Sequence, residues 1–224
     1  MPWPYQKPGH ALALLSHANM KPSRKHIRWR FWDYGADGGY FITICTKHRV
    51  PYFGSIRPDL HVPDDVGTGH APDDVGPGHA LALPENGGRA LDLQDLTSYL
   101  VPTAAGHLAF QCWQDIPNHY PFVRLDAVVI MPNHLHGILF FDKPDKTDWQ
   151  PNQFGPQQDN LAVVLGSFKA AVSRQVRKRG EAFGWQVRYN DRVLRNETEY
   201  QIRLRYMWNN PYHWEDDDLY LPPT

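Results

Sequence analysis

Helical periodicity alternating with a tight strand pair predicts an α+β chain: a ferredoxin-like two-layer sandwich, with an antiparallel sheet and helices on one face. Three observations carry this. Two helical stretches have an apolar stripe at 3.6-residue spacing. A pair of apolar strands is joined by only Pro132-Asn133, which forces them antiparallel. The order β, α, β, β, α, β, α also alternates helices with hairpins rather than with parallel crossovers.

Each element has its own signal. "GGYFITICTKHR" opens on glycines and continues β-branched and aromatic, predicting a strand over about 39–47. In "PTAAGHLAFQCWQDIPNHYP" the residues Ala105, Leu108, Ala109, Cys112, Trp113 and Ile116 share one helical face. Thr103 is its expected N-cap, and the prolines near 117 and 121 end it. "FVRLDAVVIMP" (122–132) and "HLHGILFFD" (134–142) are the strand pair. The second helix is expected at 160–179, with Leu161, Leu165, Phe168, Val172 and Val176 buried. An extended segment at 185–195 precedes a third helix, opened by a capping box of Asn196 and Glu199 and closed by Pro211.

Other stretches do not read as folded. "PGHALAL" at 8–14 recurs at 77–83, and "PDDVGTGHA" is followed directly by "PDDVGPGHA". Few large side chains occur there, so burial cannot offset the entropy of ordering. The expected organisation is a flexible extension at 1–24 and a domain at 25–214 interrupted by a low-complexity insertion at about 59–96. An acidic tail at 215–224 follows. The three "GHA" histidines, His10, His70 and His79, lack any scaffold that would make them a metal site. Cys45 and Cys112 sit in apolar contexts at no metal-binding spacing, and read as buried free thiols of a cytoplasmic protein. No apolar run approaches the roughly 20 residues of a membrane helix.

The net charge of −1 hides an asymmetry. Residues 168–205 hold ten Lys/Arg against four acids, and "KPSRKHIRWR" (21–30) adds five more cations. Cations interleaved with Trp and Tyr suit single-stranded nucleic acid, which needs both phosphate neutralisation and stacking. Arg28, Arg30, Lys169, Arg174, Arg188, Arg192 and Arg203 are the candidate DNA-binding residues.

In "VVIMPNHLHGILFF" the residues His134 and His136 are two apart on a strand, so both imidazoles project from one face and Leu135 from the other. Two side-by-side imidazoles are able to share a metal ion. A barrel metallohydrolase also uses His-x-His, but this chain lacks eight βα units. Histidine, bulky apolar residue, histidine on a central strand fits the HUH nucleases. On the last helix, Tyr206 and Asn210 share a face one turn apart, with Ile202 expected to anchor it.

With these residues in place, the chain resembles the REP-associated tyrosine transposases, single-tyrosine members of the HUH group. The matching blocks are "YFITICTKHR", "CWQDIPNHYP", "VVIMPNHLHGI", "GSFKAAVSR", "WQVRYNDRVLRNETEY" and "RYMWNNPYHW". The resemblance implies metal-dependent cleavage and rejoining of single-stranded hairpin DNA through a 5′-phosphotyrosine. It implies Mg²⁺ or Mn²⁺ on His134 and His136, with Asn210 as third ligand and Tyr206 as catalytic nucleophile. The expected assembly is a monomer or homodimer, with no membrane partner. Some relatives carry "YYEH" where this chain has "YNDR", so Arg192 replaces a histidine. Two other readings stand beside it: a domesticated or inactive hairpin-DNA binder, and a single-stranded RNA-binding module, which needs exposed aromatics on the sheet.

Overall fold

The structure, a computed structural model, describes residues 32–59, 96–97, 99–143 and 159–222. The expectations for 1–24, for Arg28 and Arg30, and for most of the insertion lie outside them. Strands are β1 (Gly38–Cys45), β2 (Gly54–Ile56), β3 (Leu100–Pro102), β4 (Val123–Met131), β5 (His134–Phe141) and β6 (Asn190–Leu194). Helices are α1 (Ala104–Gln114), the single turn α2 (Ile116–His119), α3 (Leu161–Lys178) and α4 (Glu197–Asn209), followed by a 3₁₀ segment at Asn210–Asp216.

The main sheet has the order β4-β5-β1-β6 and is antiparallel throughout. With β2 and β3 set aside, this is the ferredoxin-like βαββαβ order. The hairpin at Pro132-Asn133 pairs Met131 with His134, and β1 pairs Cys45 with His134. Residues directly opposite in such ladders point to the same face. One face therefore carries Ile42, Ile44, Leu135, Gly137 and Leu139; the other carries Phe41, Thr43, His134, His136 and Phe140.

α1 and α3 cover the apolar face. Trp113 packs edge-on to Phe168, with ring centroids 5.6 Å apart, and is fully buried. It lies directly over Gly137, where a Cβ would come within 2.4 Å of its ring. Leu135, Leu139 and Phe141 are equally inaccessible, each contributing roughly 1.5–3 kcal/mol by burial. Thr103 caps α1 by accepting from Gly106 N at 3.1 Å. The apolar stripe of α3 is buried as expected, whereas Leu108 on α1 is only half-buried and Phe110 takes an inward position. Both cysteines are free and buried.

The expectation of helices on one face holds for α1 and α3 but not for α4. α4 lies across the opposite face, where Tyr200 packs near Phe140 and Tyr206 near Phe41 and His136. The reason is chemical: this face is too polar for a hydrocarbon layer but too apolar at Phe41 and Phe140 to be left in water. Tyr200, Arg203, Leu204 and Met207 form the buried side of α4, and Ile202, the expected anchor, stays half-exposed. Tyr200 Oη donates to the buried Asp126 carboxylate at 2.9 Å, pinning α4 to β4 at its bulge. Asn196 caps the helix by accepting from Glu199 N at 2.9 Å. Glu199 returns the bond one residue earlier than a standard box, to Arg195 N at 3.0 Å.

β2 and β3 were not legible from the pattern. They pair Gly54 with Pro102 and Ile56 with Leu100. The long insertion thus connects two hydrogen-bonded strands, a place where added length costs little because closure entropy grows only logarithmically. Leu96, at its edge, is already core.

Candidate active site

Strand alternation brings His134 and His136 together, as the sequence predicts. Their Nε2 atoms are 3.1 Å apart and both rings are buried. The outer nitrogens are held from behind. His134 Nδ1 lies 2.8 Å from Asn133 Oδ1. The Asn133 amide nitrogen donates to Leu219 O at 2.8 Å, so its oxygen must accept from His134 Nδ1–H. His134 Nε2 is then a bare lone pair aimed at His136. His136 Nδ1 lies 2.8 Å from Thr43 Oγ1, a hydroxyl able to donate or accept. One proton or one cation must sit between the two Nε2 atoms, and Thr43 accommodates either case. Such partners behind metal-binding imidazoles fix their tautomers.

Burial sets the electrostatics. It pushes His134 down to about 3, helped by Arg49 and opposed by the Asn210 side chain beside it. Burial also holds His136 well below the usual imidazole range, with His134 and Arg203 acting in the same sense and Asp217 against it. Both rings are therefore neutral at pH 7, the form that binds metals.

α4 delivers Tyr206. Its ring is 5.1 Å from that of His136 and 6.2 Å from Phe41. Burial raises its pKa above the ordinary phenol value; Asp217 and Asp218 add to this and Arg203 opposes it. Asn210, one turn on, is 5% exposed. Its Oδ1 is buried without a hydrogen bond of normal geometry. Two facing imidazole nitrogens and an amide oxygen without a partner are a donor set able to hold a divalent cation that accepts both nitrogen and oxygen.

Asp217 was missed. Its carboxylate and the two imidazoles have ligand atoms all within 4.8 Å of one another. Asn210 Nδ2 donates to its Oδ2. In the sequence it is one of four consecutive acids, "EDDD", expected only as part of an acidic tail. Nothing in that run marks the one residue that turns inward. Thr43 was equally hidden, because it reaches His136 through strand register alone.

The candidate DNA-binding cations separate. Arg203 lies over the Phe41 ring at 5.6 Å, and Arg192 is paired in register with Phe41, so both belong to the histidine face. Arg188 is exposed just before β6. Lys169 instead donates to Gln186 O at 2.7 Å and to Val187 O at 3.4 Å, tying α3 to the segment before β6. Arg174 is on α3, in the layer across the sheet, and lines a groove with Asp115 and His119. Sequence spacing could not separate these, because a charge run does not say which side of a sheet its helix covers.

An uncharacterized protein of Haemophilus influenzae is 32% identical to this chain over 208 residues, covering 88% of the chain and 93% of that protein. The two proteins belong to one family. The chain also matches a second Haemophilus influenzae protein, named "Putative REP-associated tyrosine transposase". That match is 25% identical over 104 residues, 42% of the chain and 51% of the relative. A solved structure described as a REP-associated tyrosine transposase bound to a REP hairpin gives a TM-score of 0.45 at 14% identity, over 87% of this chain and 74% of that one. No family model matches. The chain thus resembles the REP-associated tyrosine transposases in sequence as well as in motifs. Among the described residues, no helix is long and apolar enough to cross a membrane.

Proposed function

We propose that this chain is a transposase-like nuclease acting on single-stranded hairpin DNA, with Tyr206 as the attacking group. The observation that carries the reading is the placement of the Tyr206 ring 5.1 Å from His136, whose Nε2 faces that of His134. The hairpin substrate is drawn from the motif resemblance, and the transposase reading also from the name of the 25%-identical relative.

His134, His136 and Asn210 would hold Mg²⁺ or Mn²⁺, which supplies Lewis-acid polarisation of a bound phosphate. The chain's own residues do the rest. Tyr206 Oη attacks the scissile phosphorus; the Tyr206–phosphorus bond forms and the bond to the 3′ oxygen breaks. The departing oxygen takes up a proton and leaves as a free 3′-hydroxyl. The phosphodiester energy is kept in the 5′-phosphotyrosine, so a 3′-hydroxyl is able to reverse the step and join strands. The resting phenol is protonated, since its pKa is raised. Its proton therefore departs during attack, and Arg203 is the cation that favours the phenolate. Arg192 adds positive charge on the same face for the backbone of the strand. Tyr200 is a poor alternative nucleophile, because its hydroxyl is committed to Asp126.

The test is a covalent adduct. The purified chain is incubated with single-stranded hairpin DNA and Mn²⁺ or Mg²⁺ and run on a denaturing gel. A metal-dependent adduct is expected with the wild type and none with Tyr206→Phe. An adduct surviving in Tyr206→Phe moves the nucleophile to Tyr200 or Tyr212. No adduct on any hairpin with either metal leaves a binding protein, not an enzyme.

A further inference from the structure

We infer that Asp217 is the anionic ligand of the cation site, and that cation binding thereby secures the C-terminal segment 217–219 against the histidines. This rests on the metal-dependent reading above and adds to it a residue outside the His-His-Asn set.

Geometry singles out Asp217 from its neighbours. Glu215, Asp216 and Asp218 are exposed, whereas Asp217 is half-buried and alone in the run lies within 4.8 Å of the histidine nitrogens. Its Oδ1 accepts from Leu219 N at 2.6 Å, and its Oδ2 accepts from Asn210 Nδ2. Each carboxylate oxygen has a second lone pair left for a ligand. Asn210 is nine-tenths buried, and its orphan Oδ1 belongs to the same amide that holds Asp217 in place. An acidic side chain alone would mean little; an acid within reach of two facing imidazole nitrogens, held by an amide whose own oxygen is buried without a partner, is a ligand set.

Charge argues the same way. Two neutral imidazoles and an amide leave a divalent cation with its full charge in a buried place. One carboxylate halves that charge and supplies the oxygen that Mg²⁺ and Mn²⁺ prefer. The segment is also tied to the histidines directly: Asn133 bridges His134 Nδ1 and Leu219 O, and Arg49 donates to Asp218 O at 2.8 Å. Orientation of His134 and docking of 217–219 therefore share one amide.

The experiment measures Mn²⁺ binding to the full chain without DNA, by titration calorimetry or by loss of the free-ion electron paramagnetic resonance signal. Asp217→Asn is expected to weaken Mn²⁺ binding about tenfold or more, while Asp216→Asn and Asp218→Asn stay within about twofold, as for charges outside the ligand set. If Asp217→Asn binds like the wild type while His136→Ala does not, the inference is wrong and the His-His-Asn site stands. If the wild type binds no Mn²⁺, both fall together. If Asp217→Asn does not fold, Asp217→Cys decides: it should lose Mn²⁺ and bind Cd²⁺ with thiolate-to-metal charge-transfer absorption. Cd²⁺ binding without that absorption overturns the assignment.

Discussion

On one face of β5, Gly137 meets Trp113 of α1, Phe141 meets the rings of Tyr40 and Phe122, and Leu135 and Leu139 are buried in the core. On the other, one residue away, His134 and His136 meet Thr43, Asn133 and Tyr206. Both sides are buried, so exposure does not distinguish them. What differs is how each is satisfied. The first needs only matching shapes, as where Trp113 fills the space Gly137 leaves. The second needs every nitrogen and oxygen partnered, and it stops short of that at Asn210 Oδ1. A buried polar layer left incomplete within a well-packed fold is where a ligand is expected.

This contrast can be broken or sharpened, beginning with the largest effect. Tyr206→Phe should lower adduct formation roughly a thousandfold or more, with an unchanged melting temperature; equal loss of stability would merge the two faces. Trp113→Ala should cost about 3–5 kcal/mol of stability in chemical denaturation, yet leave adduct formation per folded molecule intact. Acid should act on the polar face through His134. His134 is held down to about 3 by burial, while an unfolded chain titrates near the ordinary 6.5. Between those values the unfolded chain binds the extra proton, so stability is complete above pH 6.5 and drains away as pH falls towards 3. Near pH 5 the loss from this one ring is about 2 kcal/mol, read as a drop in urea midpoint that His134→Gln reduces. Gly137→Ala should cost roughly 1–3 kcal/mol by overpacking Trp113, again without touching Mn²⁺ binding. Smallest, Tyr200→Phe should cost about 1 kcal/mol, the worth of a typical hydrogen bond, or somewhat more because Asp126 loses a partner in a buried place.

Much of the fold was legible because period is local. Strands β1, β4 and β5 and helices α1, α3 and α4 fall within a residue or two of their predicted bounds, since alternation and 3.6-residue stripes are written in consecutive residues. The hairpin of β2 and β3 was not legible. Its strands have three residues each and are separated by the insertion, too little for any period to register. α4 was placed in sequence but not in space. Its inward residues, Tyr200, Arg203, Leu204 and Met207, do have helical spacing, yet an arginine among them disguises the buried side.

The sequence by itself determined that His134 and His136 share a face, because side-chain direction along a strand alternates whatever the strand packs against. It also determined that Tyr206 and Asn210 share a helix face one turn apart. Only the tertiary structure decided that these two faces meet, that Thr43 and Asn133 stand behind the imidazoles, and that one aspartate of "EDDD" turns inward. Those are relations between residues distant in the chain, fixed by strand register and by the chain's return after α4. No local period encodes them.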